Sequence, residues 1–273
     1  MLNVRLWGVR GSVPVPRREM LGYGGNTPCV EVRSPECFLI IDAGTGVIAL
    51  GDSLGECEQP LHMLFSHCHW DHIQGFPFFG PLHRPESRVT LYGSTAVTGR
   101  VDDQLCNQME NPYFPVRMEA LSARIEFANI EGGRFEVGDV RVEARSLIHP
   151  QGVLGFRIEH DQAAVVYASD SEHGAEDGRE RLIDLARGAD LLIADAQYSP
   201  TEYETQKKGW GHGTWEQAAR AAREAEVGQL VLFHHDPWRR DDGVLLFECE
   251  ARRVFPRTVA GAEGAVFRLA GAG

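Results

Sequence analysis

The sequence predicts an α/β protein of the α+β type: a four-layer αββα sandwich in which two mixed β-sheets pack face to face and helices cover their outer sides. In each half of the chain, short apolar runs of strand length come first and helical stretches follow. This order lacks the strict strand–helix alternation of a doubly wound sheet. With 43% hydrophobic and 24% charged residues, the chain can bury a full core. No repeat, low-complexity tract or linker divides it, so we expect one domain over residues 1–273.

The first half of the chain begins with an alternating run at Val4–Trp7 that predicts a strand. The stretch that follows, GVRGSVPVPRREMLGYGGNTP, is too rich in glycine and proline for a regular element and predicts a long loop. Further predicted elements of this half are strands at Cys29–Val32, Cys37–Ile41, Leu61–Phe65 and Arg88–Tyr92, and helical segments at Val47–Leu54, Ile73–Phe79 and Thr95–Gln108.

The segment 106–123 has prolines and aromatic residues but no clear period. It is either a lid or substrate-facing insertion or a packed surface loop. Its apolar residues near Tyr113 and Phe114 are candidates for a homodimer contact or for a pocket wall.

The second half repeats the pattern of strands followed by helices. Predicted strands lie at Ile125–Ala128, Arg134–Glu136, Val140–Ser146, Leu154–Glu159, Ala164–Ala168, Asp190–Ala194 and Gln229–Phe233, and predicted helices at Arg179–Arg187 and Thr214–Glu226.

Charge and hydropathy narrow the classes of partner. The formal net charge of −12 disfavours bulk nucleic-acid binding, in which Lys and Arg neutralise phosphates, and favours small or locally steered substrates. The N-terminal segment has no apolar core of signal-peptide length, and no apolar run approaches the roughly 20 residues of a membrane-spanning helix. We therefore expect a cytoplasmic protein without a membrane partner.

The six cysteines, Cys29, Cys37, Cys57, Cys68, Cys106 and Cys249, are scattered and include no CxxC pair. Without an export signal they are expected to be reduced thiols. Cys68 lies inside a histidine cluster, but its side chain is expected to point away from its two histidine neighbours.

That cluster, His67-Cys68-His69-Trp70-Asp71-His72, directly follows an apolar strand and precedes a helical segment. Three imidazoles and a carboxylate within six residues would be costly to bury without partners. In a turn that leaves a strand, His67 and His69 can converge on one metal ion while Asp71 and His72 face a second. Neither set is complete, so further ligands must come from elsewhere in the fold.

Three later positions offer those ligands. His149 ends the run VRVEARSLIH, Asp170 follows AAVVYAS, and His234 ends LVLFH. A lone polar residue after an apolar strand is a typical position for a metal ligand, although each taken singly could equally be a surface residue.

With these residues in place, the chain resembles the metallo-β-lactamase superfamily from GVRGSVP to LFHHDP, and the αββα sandwich is that family's fold. The resemblance implies a first metal site of His67, His69 and His149, a second of Asp71, His72 and His234, and Asp170 bridging the two ions. His235 could substitute for His234, which is favoured because the family's ligand is the first residue after the strand. An aspartate at position 170, where true β-lactamases of the superfamily commonly have cysteine, disfavours antibiotic hydrolysis.

A narrower resemblance concerns the last third of the chain. The runs DLLIADAQYS, GWGHGTWEQAARAA and QLVLFHHDP are similar to ribonuclease Z and its relatives, the small cyclic phosphodiesterases. In that branch a histidine ahead of a helix assists the leaving oxygen and a carboxylate orients it; His212 and Asp195 match by position. The departures are Asp195 where ribonuclease Z has glutamate, and Gly213 where it has a small hydroxyl residue. The DAGTG turn also matches, and its Asp42 is expected either to brace the metal-binding loops or to form a simple tight turn.

Together with these residues, the resemblance implies a metal-dependent phosphodiesterase of small substrates, such as a cyclic nucleotide or cyclic phosphate. Two divalent ions would activate a bridging water, and His212 would protonate the leaving oxygen, unless it only caps the helix that begins near Thr214. Zinc is the expected metal, with manganese or iron as alternatives. The predicted catalytic residues are Asp71, His212 and Asp195. Alternative functions are a ribonuclease Z-like nuclease, a thioesterase or lactonase, and a metal-binding module without activity.

Overall fold

The computed structural model describes residues 1–55, 59–130 and 132–270 of the chain, so the prediction for Cys57 lies outside the described residues. The first sheet has seven strands in the order β14-β1-β2-β3-β4-β5-β6. Their bounds are β1 Leu2–Gly8, β2 Cys29–Arg33, β3 Phe38–Ile41, β4 Leu61–Leu64, β5 Arg88–Gly93, β6 Arg124–Asn129 and β14 Val266–Leu269. Neighbours from β14 to β3 pair antiparallel, and those from β3 to β6 pair parallel.

The second sheet also has seven strands, in the order β13-β12-β11-β10-β9-β8-β7. Their bounds are β7 Gly133–Val137, β8 Val140–Leu147, β9 Val153–His160, β10 Ala163–Ala168, β11 Leu191–Asp195, β12 Gln229–Phe233 and β13 Thr258–Ala260. Strands β7 to β10 form an antiparallel meander, and β10 to β13 pair parallel.

Helices cover the outer face of each sheet. Their bounds are α1 Gly46–Ser53, α2 Trp70–Ile73, α3 Thr95–Thr98, α4 Val101–Gln108, α5 Gly178–Ala186, α6 Pro200–Glu202, α7 Trp215–Glu224 and α8 Asp241–Val254. One apolar cluster joins the inner faces of the two sheets, a second joins the outer face of the second sheet to α5, α7 and α8, and a third joins the outer face of the first sheet to α1 and α4. The predicted four-layer sandwich is therefore confirmed.

The strand directions bring chemically important residues to one edge of each sheet. Strands β3 and β4 run parallel, so the residues after them, Asp42 and His67, leave the first sheet at the same edge. In the second sheet, β10, β11 and β12 run parallel, and β8 shares their direction because it pairs antiparallel with β9, which pairs antiparallel with β10. Face-to-face packing then sets the two edges against each other.

Some predicted elements differ from the observed ones. The single helix expected over 73–79 is wrong: α2 ends at Ile73, and 3₁₀ turns follow at Phe76–Phe78 and Gly80–His83. Each of these turns contains a proline, which lacks the N–H that a continuing α-helix needs. The amphipathic stretch 95–108 is divided into α3 and α4 by Gly99, whose φ is +73°. Helix α8 and strands β13 and β14 were not predicted.

The Gly/Pro-rich loop between β1 and β2 is held by a buried cation. The Arg10 guanidinium is completely buried and donates to the backbone oxygens of Gly24, Met20 and Arg239. Burial lowers the pKa of Arg10, against the opposing effect of nearby carboxylates such as Asp241. These bonds tie the loop to the segment after β12, so the loop is an ordered wall of the molecule.

The segment 106–123 packs against the first sheet. Met109 and Met118 are buried in the apolar cluster of that layer, and Phe114 lies edge-on to Phe78, 5.5 Å between ring centroids. Tyr113 is 78% exposed. Part of the segment is thus packed against the first sheet, while Tyr113 faces solvent. Its role as a lid, pocket wall or homodimer contact stays a prediction.

Two further expectations concern export and membranes. The five cysteines of the described residues, Cys29, Cys37, Cys68, Cys106 and Cys249, form no disulfide. Across the ranges that the structure describes, every helix is too short or too polar to span a bilayer.

Candidate metal centre

Three histidines form the first cluster of the site. His67 follows β4, His69 precedes α2 and His149 follows β8, and one nitrogen of each lies within 4.8 Å of the others. The Nε2 atom of His149 lies 3.2 Å from the Nδ1 atom of His69. Burial, with the neighbouring His72, lowers the pKa of His67 well below its usual value, and burial also lowers that of His149. The imidazoles of His67 and His149 are therefore neutral near pH 7, the form that binds a metal ion.

Four more residues form the second cluster: Asp71 and His72 in α2, Asp170 after β10 and His234 after β12. Asp170 Oδ2 lies 3.0 Å from His72 Nε2 and 3.2 Å from His234 Nε2. Asp71 Oδ2 lies 3.1 Å from His234 Nε2 and also accepts a hydrogen bond from the backbone N–H of Ser12. All four are buried, so the centre concentrates two carboxylates and two imidazoles away from solvent.

Asp170 lies between the two clusters. While its Oδ2 faces His72 and His234, its Oδ1 lies 3.9 Å from His67 Nε2 in the first cluster. Ser169 donates a hydrogen bond to the same carboxylate. Burial opposes its ionisation, but His234 and His72 hold the pKa of Asp170 well below its usual value. An ionised carboxylate with one oxygen toward each cluster suits a bridging ligand.

A buried carboxylate braces the centre from behind. Asp42 accepts hydrogen bonds from the Ser66 backbone N–H and hydroxyl, from the Tyr167 hydroxyl and, at 2.7 Å, from His72 Nδ1. This contact orients the His72 ring and leaves its Nε2 facing Asp170. Of the two roles that the sequence left open for Asp42, the structure favours bracing over a simple turn.

The backbone around the centre is strained. Ser12, Asp42, Asp170 and His234 all have φ between 50° and 65°, in the left-handed region that non-glycine residues rarely adopt. Such strain persists where surrounding packing fixes it and concentrates at functional sites. Gly11 lets the backbone pass His234 closely, since an added Cβ would lie 2.4 Å from the His234 ring.

The donor set fits a pair of divalent cations. His67 Nε2 is buried without a hydrogen-bond partner, an arrangement that costs free energy unless something else satisfies it. Burial alone would lower the pKa of His72. The carboxylates of Asp170, Asp71 and Asp42 outweigh burial and raise this pKa well above its usual value. The field inside the second cluster thus favours positive charge. Buried His/Asp clusters of this composition are typical of a dimetal site.

A histidine–aspartate pair adjoins the clusters. His212 Nδ1 lies 2.9 Å from Asp195 Oδ2, and the His212 ring stacks on His234 with 5.0 Å between centroids. The other oxygen of Asp195 accepts from the backbone N–H groups of Gly213 and Gln197. Because Asp195 is already occupied by these donors, it suits the orientation of His212 better than metal binding, although Asp195, His212 and His234 also lie within ligand distance of one another.

Helix α7 does not need His212 as its cap. Thr214 accepts a hydrogen bond from the backbone N–H of Gln217, whose side chain bonds back to the Thr214 backbone. This reciprocal capping box satisfies the helix start. The alternative that His212 serves only as a cap therefore loses its support.

The structure separates the remaining candidates. His235 is turned away from the clusters: its Nε2 bonds to the Gly261 backbone oxygen at 2.9 Å, and burial lowers its pKa to about 3. Cys68 belongs to none of the three ligand clusters found in the described residues. The seven predicted ligands, by contrast, are all brought together, as are His212 and Asp195.

Two buried residues after Asp170, Glu172 and His173, were not among the predicted site residues. The ring of His173 lies against Gly213, where an added Cβ would come within 2.4 Å of it. This contact gives a reason for glycine at that departure from ribonuclease Z. Glu172 accepts hydrogen bonds from the Tyr203 hydroxyl and from the backbone N–H groups of Gly209 and Gly211. Their only sequence signal is the polar run SEH after the aspartate.

Glu172 fixes the loop that carries His212 and also supports His149, whose Nδ1 bonds to the Gly211 backbone oxygen. We expect Glu172→Ala to lower kcat/KM about 100-fold on any substrate that the protein turns over, because a misplacement of about 1 Å has such an effect. The control Tyr203→Phe removes one bond to Glu172 and should cost only about 1 kcal/mol of stability. Steady-state kinetics with thermal melts distinguish the two, and unchanged kcat/KM in a folded Glu172→Ala protein would contradict the assignment.

Comparison with known proteins agrees with this geometry. The family described as "Beta-lactamase superfamily domain" matches residues 39–235. A ribonuclease Z of Lachnospira eligens is 26% identical over an alignment that covers 98% of each chain. Among solved structures, the metallo-beta-lactamase fold protein YhfI of Bacillus subtilis matches with a TM-score of 0.72 at 21% identity, covering 98% of this chain and 100% of that one. A diphosphatase from the PhnP family matches with a TM-score of 0.71 at 18% identity, covering 98% of each chain.

Proposed function

Because the chain belongs to the metallo-β-lactamase superfamily and is a metal-dependent hydrolase, we propose that it cleaves small phosphodiesters, with cyclic nucleotides and cyclic phosphates as the leading candidates. The observation that carries this proposal is the His212–Asp195 pair, 2.9 Å apart, beside the two ligand clusters. Ribonuclease Z and the PhnP-family diphosphatase, both similar to this chain, carry names that refer to the cleavage of bonds to phosphorus.

In this proposal His67, His69 and His149 would hold one ion and Asp71, His72 and His234 the other, while Asp170, which lies between the two clusters, would serve both sites. Two bound divalent ions supply a solvent nucleophile near neutral pH and polarise the phosphoryl group. The predominance of imidazole ligands favours zinc, and the carboxylates of the second cluster also suit manganese or iron.

His212 is the proposed general acid. Cleavage of a P–O bond expels an alkoxide that must be protonated, and a positioned imidazolium can donate that proton. Asp195, which accepts from Nδ1, stabilises the imidazolium and fixes the ring so that Nε2 remains to serve the leaving oxygen. Stacking on His234 keeps the ring at the edge of the clusters.

A ribonuclease Z-like nuclease is the second candidate, supported by the relative in Lachnospira eligens. Two observations weigh against it. The net charge of −12 opposes a long contact with RNA. Ribonuclease Z also usually has a protruding Gly/Pro-rich arm that grips the RNA, whereas the Gly/Pro-rich loop between β1 and β2 of this chain is held against the protein by buried Arg10.

The proposal is tested by metal analysis of the purified protein combined with a substrate panel. The panel contains 2′,3′- and 3′,5′-cyclic nucleotides, bis-p-nitrophenyl phosphate, a lactone, a thioester and a precursor transfer RNA. We expect about two ions per chain and turnover of the small phosphodiesters. Turnover of the lactone or thioester alone would favour a carboxylic-ester hydrolase. Cleavage of the precursor RNA at nanomolar enzyme would favour a nuclease. Full metal occupancy without turnover of any substrate would favour a metal-binding module without activity.

A further inference from the structure

The three histidines of the first cluster do not turn the same ring nitrogen toward its centre. The Nδ1 atom of His67 lies 3.1 Å from the Ser66 hydroxyl oxygen, and that of His149 lies 2.9 Å from the Gly211 backbone oxygen. Both of these rings therefore present Nε2 to the cluster. His69 has the opposite orientation, because its Nδ1 lies 3.2 Å from His149 Nε2 while its Nε2 faces outward.

The outward nitrogen of His69 has a side-chain partner, the amide of Gln151. The amide oxygen of Gln151 lies within hydrogen-bond distance of His69 Nε2. A neutral imidazole carries one proton, so a proton donated from Nε2 leaves the lone pair on Nδ1. A nitrogen that binds a metal ion must present its lone pair. The contact with Gln151 thus selects the form of His69 that can bind an ion inside the first cluster.

A tight turn brings Gln151 to this position. In the run His149-Pro150-Gln151-Gly152, the Gly152 backbone N–H bonds to the His149 backbone oxygen at 2.9 Å. Proline suits the second residue of such a turn, and Gly152 has a φ of +86°, which favours glycine. One turn therefore supplies both a residue of the cluster, His149, and the outer partner of another, His69.

The outer partner of His69 differs from that of His72 in the second cluster. His72 Nδ1 lies 2.7 Å from the buried carboxylate of Asp42, whereas Gln151 is a neutral amide and is exposed. With Gln104 it lines a cavity of about 280 Å³ beside His69. A charged acceptor makes a stronger hydrogen bond than a neutral one and raises the basicity of the imidazole more. The first cluster thus has the weaker outer support, at a position open to substitution.

We propose that Gln151 is a positioning residue for the metal ion of the first cluster. It holds His69 with Nδ1 toward the ion and so sets the affinity of that site. This inference depends on metal binding by the first cluster and goes beyond the proposed function, because no substrate enters it. It also predicts an order of affinities at position 151, in which glutamate binds the ion at least as tightly as glutamine and a side chain without an acceptor binds it most weakly.

The test is a competition titration of the full chain with zinc and a chromophoric chelator. Gln151→Met keeps the length of the side chain and removes its acceptor. We expect it to weaken zinc binding at one of the two sites by about 10- to 100-fold and to leave the other site unchanged, as is usual when the outer partner of a metal-bound histidine is lost. Gln151→Glu keeps an acceptor and should bind zinc at least as tightly as wild type.

A second measurement reports the hydrogen bond itself. In the zinc-loaded protein, the His69 ring N–H should give a proton NMR signal that exchanges slowly with solvent in wild type and in Gln151→Glu. In Gln151→Met the same proton should exchange fast, because its acceptor is gone. A purely structural role of Gln151 would not produce this dependence on the acceptor.

Gln104 offers matched controls. It lines the same cavity, but within the described ranges its amide bonds to none of the three histidines of the first cluster. Gln104→Met removes an amide and Gln104→Glu adds a charge at nearly the same place. Gln104→Met should leave both zinc affinities unchanged, and Gln104→Glu should have a smaller effect than Gln151→Glu.

Four results would overturn the role of Gln151. They are wild type that binds no zinc at the first cluster, unchanged affinity in Gln151→Met, equal weakening in Gln104→Met, and Gln151→Glu as weak as Gln151→Met. The substrate panel tests the proposed function separately. A protein with the expected order of zinc affinities but without turnover of any phosphodiester would contradict that function and leave the role of Gln151 standing.

Discussion

Replacing Asp170 by asparagine is expected to lower kcat/KM at least about 10³-fold and to release metal. The reason is that the two metal ions, one in each ligand cluster, would lose the carboxylate that serves both. The Asp170 oxygens face His72 and His234 on one side and His67 on the other. An amide keeps the shape, removes the charge and sets an NH₂ group against one of these faces. Metal content by mass spectrometry, together with turnover of the best phosphodiester, measures both effects.

Cys68→Ser is the matched control for this variant. Cys68 lies within the same sequence motif, next to His67 and His69, but in none of the ligand clusters of the described residues. It should keep about two ions per chain and its activity. An Asp170→Asn protein that retained both ions and its turnover would contradict the proposed position of Asp170 between the two ions. Loss of metal in Cys68→Ser would indicate that Cys68 is a metal ligand, which the geometry does not include.

The second large effect concerns His212. His212→Ala is expected to lower kcat on a cyclic nucleotide, which expels an alkoxide, by about 10³-fold, within the usual range for removal of a general acid. On bis-p-nitrophenyl phosphate, which expels a stable phenolate, the loss should be about tenfold or less. The ratio of the two losses is the measurement, since a merely structural defect would lower both alike.

Asp195→Asn supplies the companion test. Its amide can still contact His212 but cannot stabilise the imidazolium, so the same dependence on the leaving group should appear with a smaller amplitude, about 10- to 100-fold. Equal losses on both substrates in His212→Ala would place His212 outside proton transfer. Thr214→Ala is the control for helix stability, because Thr214 is the cap of α7 that the structure contains; it should lower stability by about 1 kcal/mol.

Local sequence patterns predicted most strands and the kinds of side chain that form the candidate metal centre. Strand lengths, breakers and the positions of polar residues after apolar runs are properties of neighbouring residues. They made His67, His149, Asp170 and His234 candidates, and the family resemblance then assigned these residues to two metal sites. The failures were also local in origin. The prolines at the 3₁₀ turns and Gly99 interrupt helical periodicity without removing it, and α8 was not recognised at all.

The sequence by itself determined the kinds of ligand available and the strand ends that deliver them, while the tertiary structure decided which of those side chains meet. Asp71 and His234 lie 163 residues apart, and His234 and His235 differ only in which way the chain turns after β12. The hydrogen bonds from the loop before His212 to Glu172 likewise join segments that no sequence periodicity connects. The physical reason is that side-chain periodicity is set by a residue's own backbone, whereas convergence at one point is set by the register of two sheets and the packing between them.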